Sequence, residues 1–348
     1  MIQRLIFAAM TLLLGVAAAT AQVYDTPSDT LADRRVIISL NERAPLLPAE
    51  DVIVPPALQK GDLVAIVTPA GEAHGYDFNR IARVIEAQGF RTMIAPHAAA
   101  RNGYYGGTAD QRGSDLEAAL LNPEVKAIIC SRGGYGAVHL LDRLDRLPLR
   151  DNAKWLVGFS DISALHALMN RHGIASIHGP MGVNMKSESN PTPSVQTLFD
   201  ILKGQHPTYT IDAHRLNREG YTIGTLVGGN LAVIDGLVGT PYNVIRPGTV
   251  LFIEDVAEPV YKVERMLYRL KLNGVLGQLA GLIVGDFTEA GPDENYRSME
   301  AMIREMVKDY DYPVAFGVPA GHARVNVPLM FGCPVLLDVS DEGTTITQ

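Results

Sequence analysis

Cysteine is almost missing from this 348-residue chain, which has two, Cys130 and Cys333. Two cysteines so far apart make no disulfide framework. Cys130 ends an apolar run and Cys333 lies between Gly332 and Pro334, so each is expected as a separate small core residue. Basic clusters are lacking and the net charge is -8, which argues against nucleic acid as a partner. Neither H-E-x-x-H nor C-x-x-C spacing occurs, so no zinc site is expected. Internal repeats and low-complexity segments are absent as well. The apolar run at 5–18 is too short, and too rich in alanine at its end, to make a good membrane span.

What is present is ordinary for a soluble globular protein, with 47% hydrophobic and 20% charged residues and length enough for two domains. Residues 1–21 read as a secretory signal peptide. Met1-Ile2-Gln3-Arg4 is a basic start, 5–18 is the apolar stretch, and Ala19-Thr20-Ala21 is a small-x-small cleavage site before Gln22. The mature protein is therefore expected to be exported and periplasmic, without stable insertion in a membrane.

Residues 22–56 are polar with scattered prolines and read as an extended arm. From Leu63 onward, continuous apolar runs of strand length alternate with helical patterns. Strands are expected at 63–67, 91–94, 125–130, 155–157 and 175–178, with helices at 76–88 and 109–121 between them. That alternation predicts an α/β fold with a doubly wound, mostly parallel sheet over 57–203. An irregular linker is expected at 204–221. A smaller mixed α/β domain with a partly closed sheet follows at 222–348.

Ligands in such sheets sit beyond the carboxyl ends of the strands. Two turns fall on that edge. Gly133-Gly134-Tyr135-Gly136 follows the 125–130 strand, and Ser160 stands in the turn Gly158-Phe159-Ser160 before a helix that starts near Asp161. A serine there can hold its hydroxyl beside the unpaired amides of a helix start, as a nucleophile requires. The match to G-x-S-x-G is partial, ending in Ile162, and Ser and Asp also suit a plain helix cap. The glycine turn lacks the third glycine of G-x-G-x-x-G, where His139 stands, and has no phosphate-loop lysine. It reads instead as backbone that approaches a reacting group closely.

Of nine histidines, two end strands or follow them in loops on the right edge: His178 and His322. Position alone favours His178. The acidic candidates are Glu254, Asp255 and Glu258, at or after the end of the apolar run Leu251-Phe252-Ile253. A capping or salt-bridging role is the simpler account of each.

Six blocks together resemble the LD-carboxypeptidase family of serine peptidases. They are Ser131-Arg132-Gly133-Gly134-Tyr135-Gly136, Gly158-Phe159-Ser160-Asp161-Ile162-Ser163-Ala164-Leu165, His178-Gly179-Pro180-Met181, Gly228-Gly229-Asn230-Leu231, Leu251-Phe252-Ile253-Glu254-Asp255, and Gly321-His322 with Asn326, Pro328 and Gly332. The resemblance runs from about Lys60 to the end of the chain. It implies a triad of Ser160, His322 and Glu254, which displaces His178 to a structural place beside the site. Oxyanion donors map to the amides of Asp161 and Gly134, and Arg132 is a candidate for a substrate carboxylate. The implied substrates are murein stem tetrapeptides or muropeptides, cut between an L-configured centre and terminal D-alanine. No cofactor or metal is implied, and a homodimer is one admissible assembly. Two other readings stay open: a triad acting on another peptide or amide, and a non-catalytic periplasmic binding protein that holds an anion on the helix amides.

Overall fold

The structure, a computed structural model, describes residues 20–26, 34–42 and 51–348. The expected signal segment lies outside the described residues save for Thr20 and Ala21, as do 27–33 and 43–50 of the arm. The arm's described parts are strands β1 (Thr20–Thr26) and β2 (Arg34–Asn41), paired antiparallel. Residues 51–58 then run back over the first domain. Ile53 donates its amide to Gly173 and accepts from Ala175, and the Trp155 indole N–H donates to the Pro56 carbonyl.

The first sheet carries β3 (Leu63–Val67), β4 (Arg91–Ile94), β5 (Val125–Cys130), β6 (Trp155–Gly158) and β7 (Ser176–His178), all parallel. Every residue of β3 is buried, as helices on both faces of a parallel sheet require. Each covered Val or Ile contributes on the order of 1.5–3 kcal/mol. Helix boundaries follow local chemistry. Thr108 and Gln111 form a reciprocal capping box that starts Ala109–Leu121, and Thr192 with Pro193 starts Pro193–Leu202.

The second sheet orders its nine described strands β1-β2-β8-β15-β14-β9-β10-β11-β12. Here β8 is His206–Asp212, β9 Gly220–Asn230, β10 Val250–Val256, β11 Gly281–Thr288, β12 Val314–Phe316, β14 Pro334–Val339 and β15 Gly343–Thr347. The run β9 to β12 is parallel and the rest antiparallel. Arg218, just before β9, bridges Val314 of the edge strand β12, so the sheet curls back towards itself in the expected partial closure.

Two stretches differ from the sequence reading. The expected linker at 204–221 is in large part strand: Pro207, Tyr209 and Ile211 alternate inward along β8 between polar neighbours. That period-two pattern is short and masked by its polar half, which is why the stretch reads as irregular. Residues 329–331, which fall in the expected second domain, form a strand the sequence reading did not include, β13 (Leu329–Phe331), and it pairs antiparallel with β7 on the first sheet. The two halves are thereby laced together. Cys130 and Cys333 are both free and buried, and burial pushes both thiols upward.

Candidate active site

Strand β6 ends at Gly158, and its chain turns sharply at Ser160, which has φ of +63°. Left-handed backbone is costly for a residue with a Cβ, on the order of 1–3 kcal/mol, and persists only where its surroundings enforce it. The enforcement is visible. A Cβ on Gly158 would lie 2.9 Å from the Ile162 side chain, so the bulky residue that spoils G-x-S-x-G fits because Gly158 makes room for it. A Cβ on Gly133 would stand 2.7 Å from Ser160 Cβ and 2.9 Å from its Oγ. The glycine turn after β5 thus lies directly against the half-buried Ser160 hydroxyl.

Asp161 joins these two turns. Its carboxylate accepts the Ala137 amide at 2.8 Å, and burial pushes its pKa up to about 6 against that bond and nearby Arg112. Arg112, itself buried, donates to the carbonyls of Pro69 and Gly136 at 2.7 Å each and lies under the Tyr105 ring. Gly134, with φ of +118°, packs on Gly71. The two turns that contain Gly134 and Asp161 are therefore held by one carboxylate and one guanidinium. Arg132, half-buried in the glycine turn, donates to the Glu72 carbonyl at 3.0 Å and faces the Tyr76 ring.

The second sheet supplies the other half. Glu254, wholly buried, ends the apolar part of β10, and His322 follows β12 in a loop pinned by the Asp286 amide on the Ala320 carbonyl. The His322 Nδ1–H donates to Glu254 Oε2 at 2.7 Å. The approach is close because residue 321 is glycine: a Cβ there would meet Glu254 at 2.9–3.2 Å, at φ of +129°. The His322 ring meets Phe159, the residue before Ser160, edge-on at 5.0 Å between centroids. Burial acts to lower the His322 pKa, but the hydrogen bond and charge of Glu254 outweigh it, leaving it above 6.5. Burial pushes the Glu254 carboxyl up, and contact with His322 opposes that.

Adjacent Asp255 takes other partners, at a point where the β10–β11 register shifts. It accepts from the Asn230 side chain at 2.8 Å and from the Ala232 amide at 2.9 Å, at the start of the helix Leu231–Gly236. Glu258 ion-pairs with Lys262 one helical turn on. His178 is fully buried among Phe159, Phe252 and Phe331, makes no hydrogen bond among the described residues, and is held far below 6.5 by burial. It is a packed neutral ring under the site rather than a base facing the cleft.

One contact that sequence reasoning missed ties the halves together. Ser163 Oγ accepts the Asn230 amide at 2.9 Å, and a Cβ on Gly229 would lie 2.4 Å from that oxygen. The signal was present in Gly228-Gly229-Asn230, where glycine before a polar residue marks close backbone approach. Its partner on another domain could not be read. Among the described residues no group of three or more His, Cys, Asp or Glu is placed to hold a metal ion, and no helix is long and apolar enough to cross a membrane.

Comparison with known proteins converges on one family. The LD-carboxypeptidase N-terminal domain matches residues 64–179, and the LD-carboxypeptidase C-terminal domain matches 223–337. The murein tetrapeptide carboxypeptidase of Pseudomonas aeruginosa is 32% identical over 79% of this chain and 92% of its own length. The probable murein peptide carboxypeptidase of Bacillus subtilis is 29% identical over 84% of this chain and 93% of its own. The solved muramoyltetrapeptide carboxypeptidase of Oxalobacter formigenes superposes with a TM-score of 0.74 at 27% identity, covering 82% of this chain and 98% of that one. Both domains match in order around a serine turn and a histidine–glutamate pair, and the chain belongs to the LD-carboxypeptidase family as a serine-type carboxypeptidase.

Proposed function

We propose that this enzyme hydrolyses the amide between an L-configured centre and a terminal D-alanine in murein stem tetrapeptides. The observation that carries the proposal is a His322 that is hydrogen-bonded to a wholly buried Glu254 and packs its ring on Phe159, the residue before the left-handed Ser160. His322 Nε2 takes the Ser160 proton as the oxygen attacks the carbonyl carbon. The amides of Asp161 and Gly134 receive the oxyanion, and Glu254 steadies the imidazolium. Collapse breaks the C–N bond, and His322 returns the proton to the departing D-alanine amine. Water, deprotonated by the same imidazole, then releases the acyl group. Arg132 answers the terminal carboxylate of the substrate. The names of the relatives from Pseudomonas and Oxalobacter support the murein assignment.

Configuration is the test. Incubation with purified murein tetrapeptide should yield tripeptide plus D-alanine by mass spectrometry. A pentapeptide ending in D-Ala-D-Ala should be a poor substrate, because its scissile carbonyl belongs to a D-residue and would turn from the oxyanion donors. Rapid D-alanine release from pentapeptide with tetrapeptide untouched overturns the assignment, and no turnover of either points to another peptide or amide as substrate.

The n-region, apolar stretch and Ala19-Thr20-Ala21 site motivate a periplasmic location, with stem peptides of the cell wall as substrate. Amino-terminal sequencing of protein from the periplasmic fraction should begin at Gln22. Cytosolic protein that retains Met1 would count against it and point to recycled muropeptides.

A further inference from the structure

His166 lies six residues beyond Ser160, on the helix Ser163–Arg171 that the serine turn feeds. It is 1% exposed, and both ring nitrogens are engaged. Nε2 lies 2.8 Å from the carbonyl oxygen of Gly158, the last residue of β6. Nδ1 lies 2.8 Å from Ser176 Oγ on β7. A carbonyl only accepts, so Nε2 carries the proton and Nδ1 accepts the Ser176 hydroxyl. The tautomer is fixed by the partners, and burial holds the ring neutral with its pKa near 4. The same Gly158 carbonyl also accepts the Gly179 amide at 3.1 Å.

We propose that His166 is a positioning residue for the nucleophile: its Nε2–H bond to the Gly158 carbonyl clasps the end of β6 to the helix beyond Ser160 and holds the serine in its left-handed turn. The clasp spans the two arms of the turn. Phe159 and Ser160 lie between its ends, and the Ile162 side chain packs on Gly158. Ser176 acts through His166: its hydroxyl donates to Nδ1 and holds the ring with Nε2 toward Gly158. Phe331 of β13 stands against the ring at 5.4 Å, so the strand contributed by the far end of the chain helps to seat it. His178, 6.3 Å away, lies deeper under Phe159 and has no part in the clasp.

The inference rests on the reading of Ser160 as nucleophile, and the test keeps the two apart. A fluorophosphonate probe, which bonds to an activated serine, is reacted with wild type, Ser160→Ala, His166→Leu, His166→Gln and Ser176→Ala. Labelling rates are normalised to the folded fraction by circular dichroism, the modified residue is mapped by mass spectrometry, and kcat and KM for tetrapeptide are measured beside them. Wild type should label at Ser160. His166→Leu, which keeps bulk but loses the donor, should label and turn over on the order of 10–10²-fold more slowly with little change in KM, as a nucleophile displaced by a fraction of an ångström does. His166→Gln retains an N–H at similar reach and should recover several-fold over His166→Leu. A purely structural role would move the melting temperature while leaving the rates per folded molecule unchanged. A folded His166→Leu within twofold of wild type in both rates overturns the clasp alone. Should His166→Leu fail to fold, Ser176→Ala decides: a several-fold loss in kcat at constant KM supports the clasp, and no loss overturns it. Failure of wild type to label at Ser160 overturns the nucleophile reading, and the clasp with it.

Discussion

Ser160→Ala should leave a folded protein that binds tetrapeptide and hydrolyses it at least about 10³-fold more slowly. The change deletes one oxygen from a half-buried side chain, with the Gly133 backbone and the oxyanion amides left in place. On the proposed mechanism, what disappears is the atom that attacks. Activity within tenfold of wild type in a steady-state assay would remove Ser160 from that role. The same position offers a second reading through stability. Alanine keeps the Cβ that makes φ of +63° costly, whereas glycine does not. Ser160→Gly should therefore be inactive yet more stable than Ser160→Ala by about 1 kcal/mol, seen as a higher melting temperature. Stability surrendered at a strained nucleophile is the expected signature of a functional turn.

Glu254→Gln should lower kcat by roughly 10²–10⁴-fold with little change in KM. Glutamine keeps the size of the side chain, and the 2.7 Å contact with His322 Nδ1 remains sterically available. It removes the negative charge that stabilises the imidazolium, and its amide N–H can favour the wrong tautomer. The pH profile carries the same information with a definite sign. Turnover needs His322 neutral, and Glu254 helps to hold its pKa above 6.5, so kcat/KM should fall as pH drops through a value above 6.5. Loss of the carboxylate should move that acid limb to lower pH, and an unmoved limb would separate Glu254 from the base. Asp255→Asn is the control, expected to cost little in kcat but some stability, since Asp255 receives the Asn230 side chain and the Ala232 amide. If the Asp255 variant proves the crippled one, Glu254 is not the orienting group.

Each of these expectations draws on two kinds of information. The turn at Ser160 could be read because it is local: an apolar strand, a glycine, then Ser-Asp at a helix start. The strand before the glycine pair, Val125–Cys130, was equally plain, since a strand covered on both faces must be apolar at nearly every position. The partners of Ser160 were not plain. His178 ends one short apolar strand and His322 follows another in a loop; position along the chain favoured His178, and the family resemblance pointed to His322 instead. Only the packed structure shows His178 sealed among aromatic rings and His322 joined to Glu254.

By itself, then, the sequence determined the alternation of elements in the first domain, the two turns that carry Ser160 and Gly134, and the apolar strand that runs into Glu254. Those are matters of period and backbone freedom, settled within a dozen residues. Tertiary structure decided which distant groups meet. It placed Glu254 rather than Asp255 against His322, set Ser163 on Asn230, took β13 from the end of the chain to the edge of the first sheet, and closed His166 onto Gly158. The physical reason is register. A side chain's neighbour across a sheet or a cleft is chosen by how whole faces pack and which strand lies beside which, and shifting a strand by one residue turns every side chain to the opposite face.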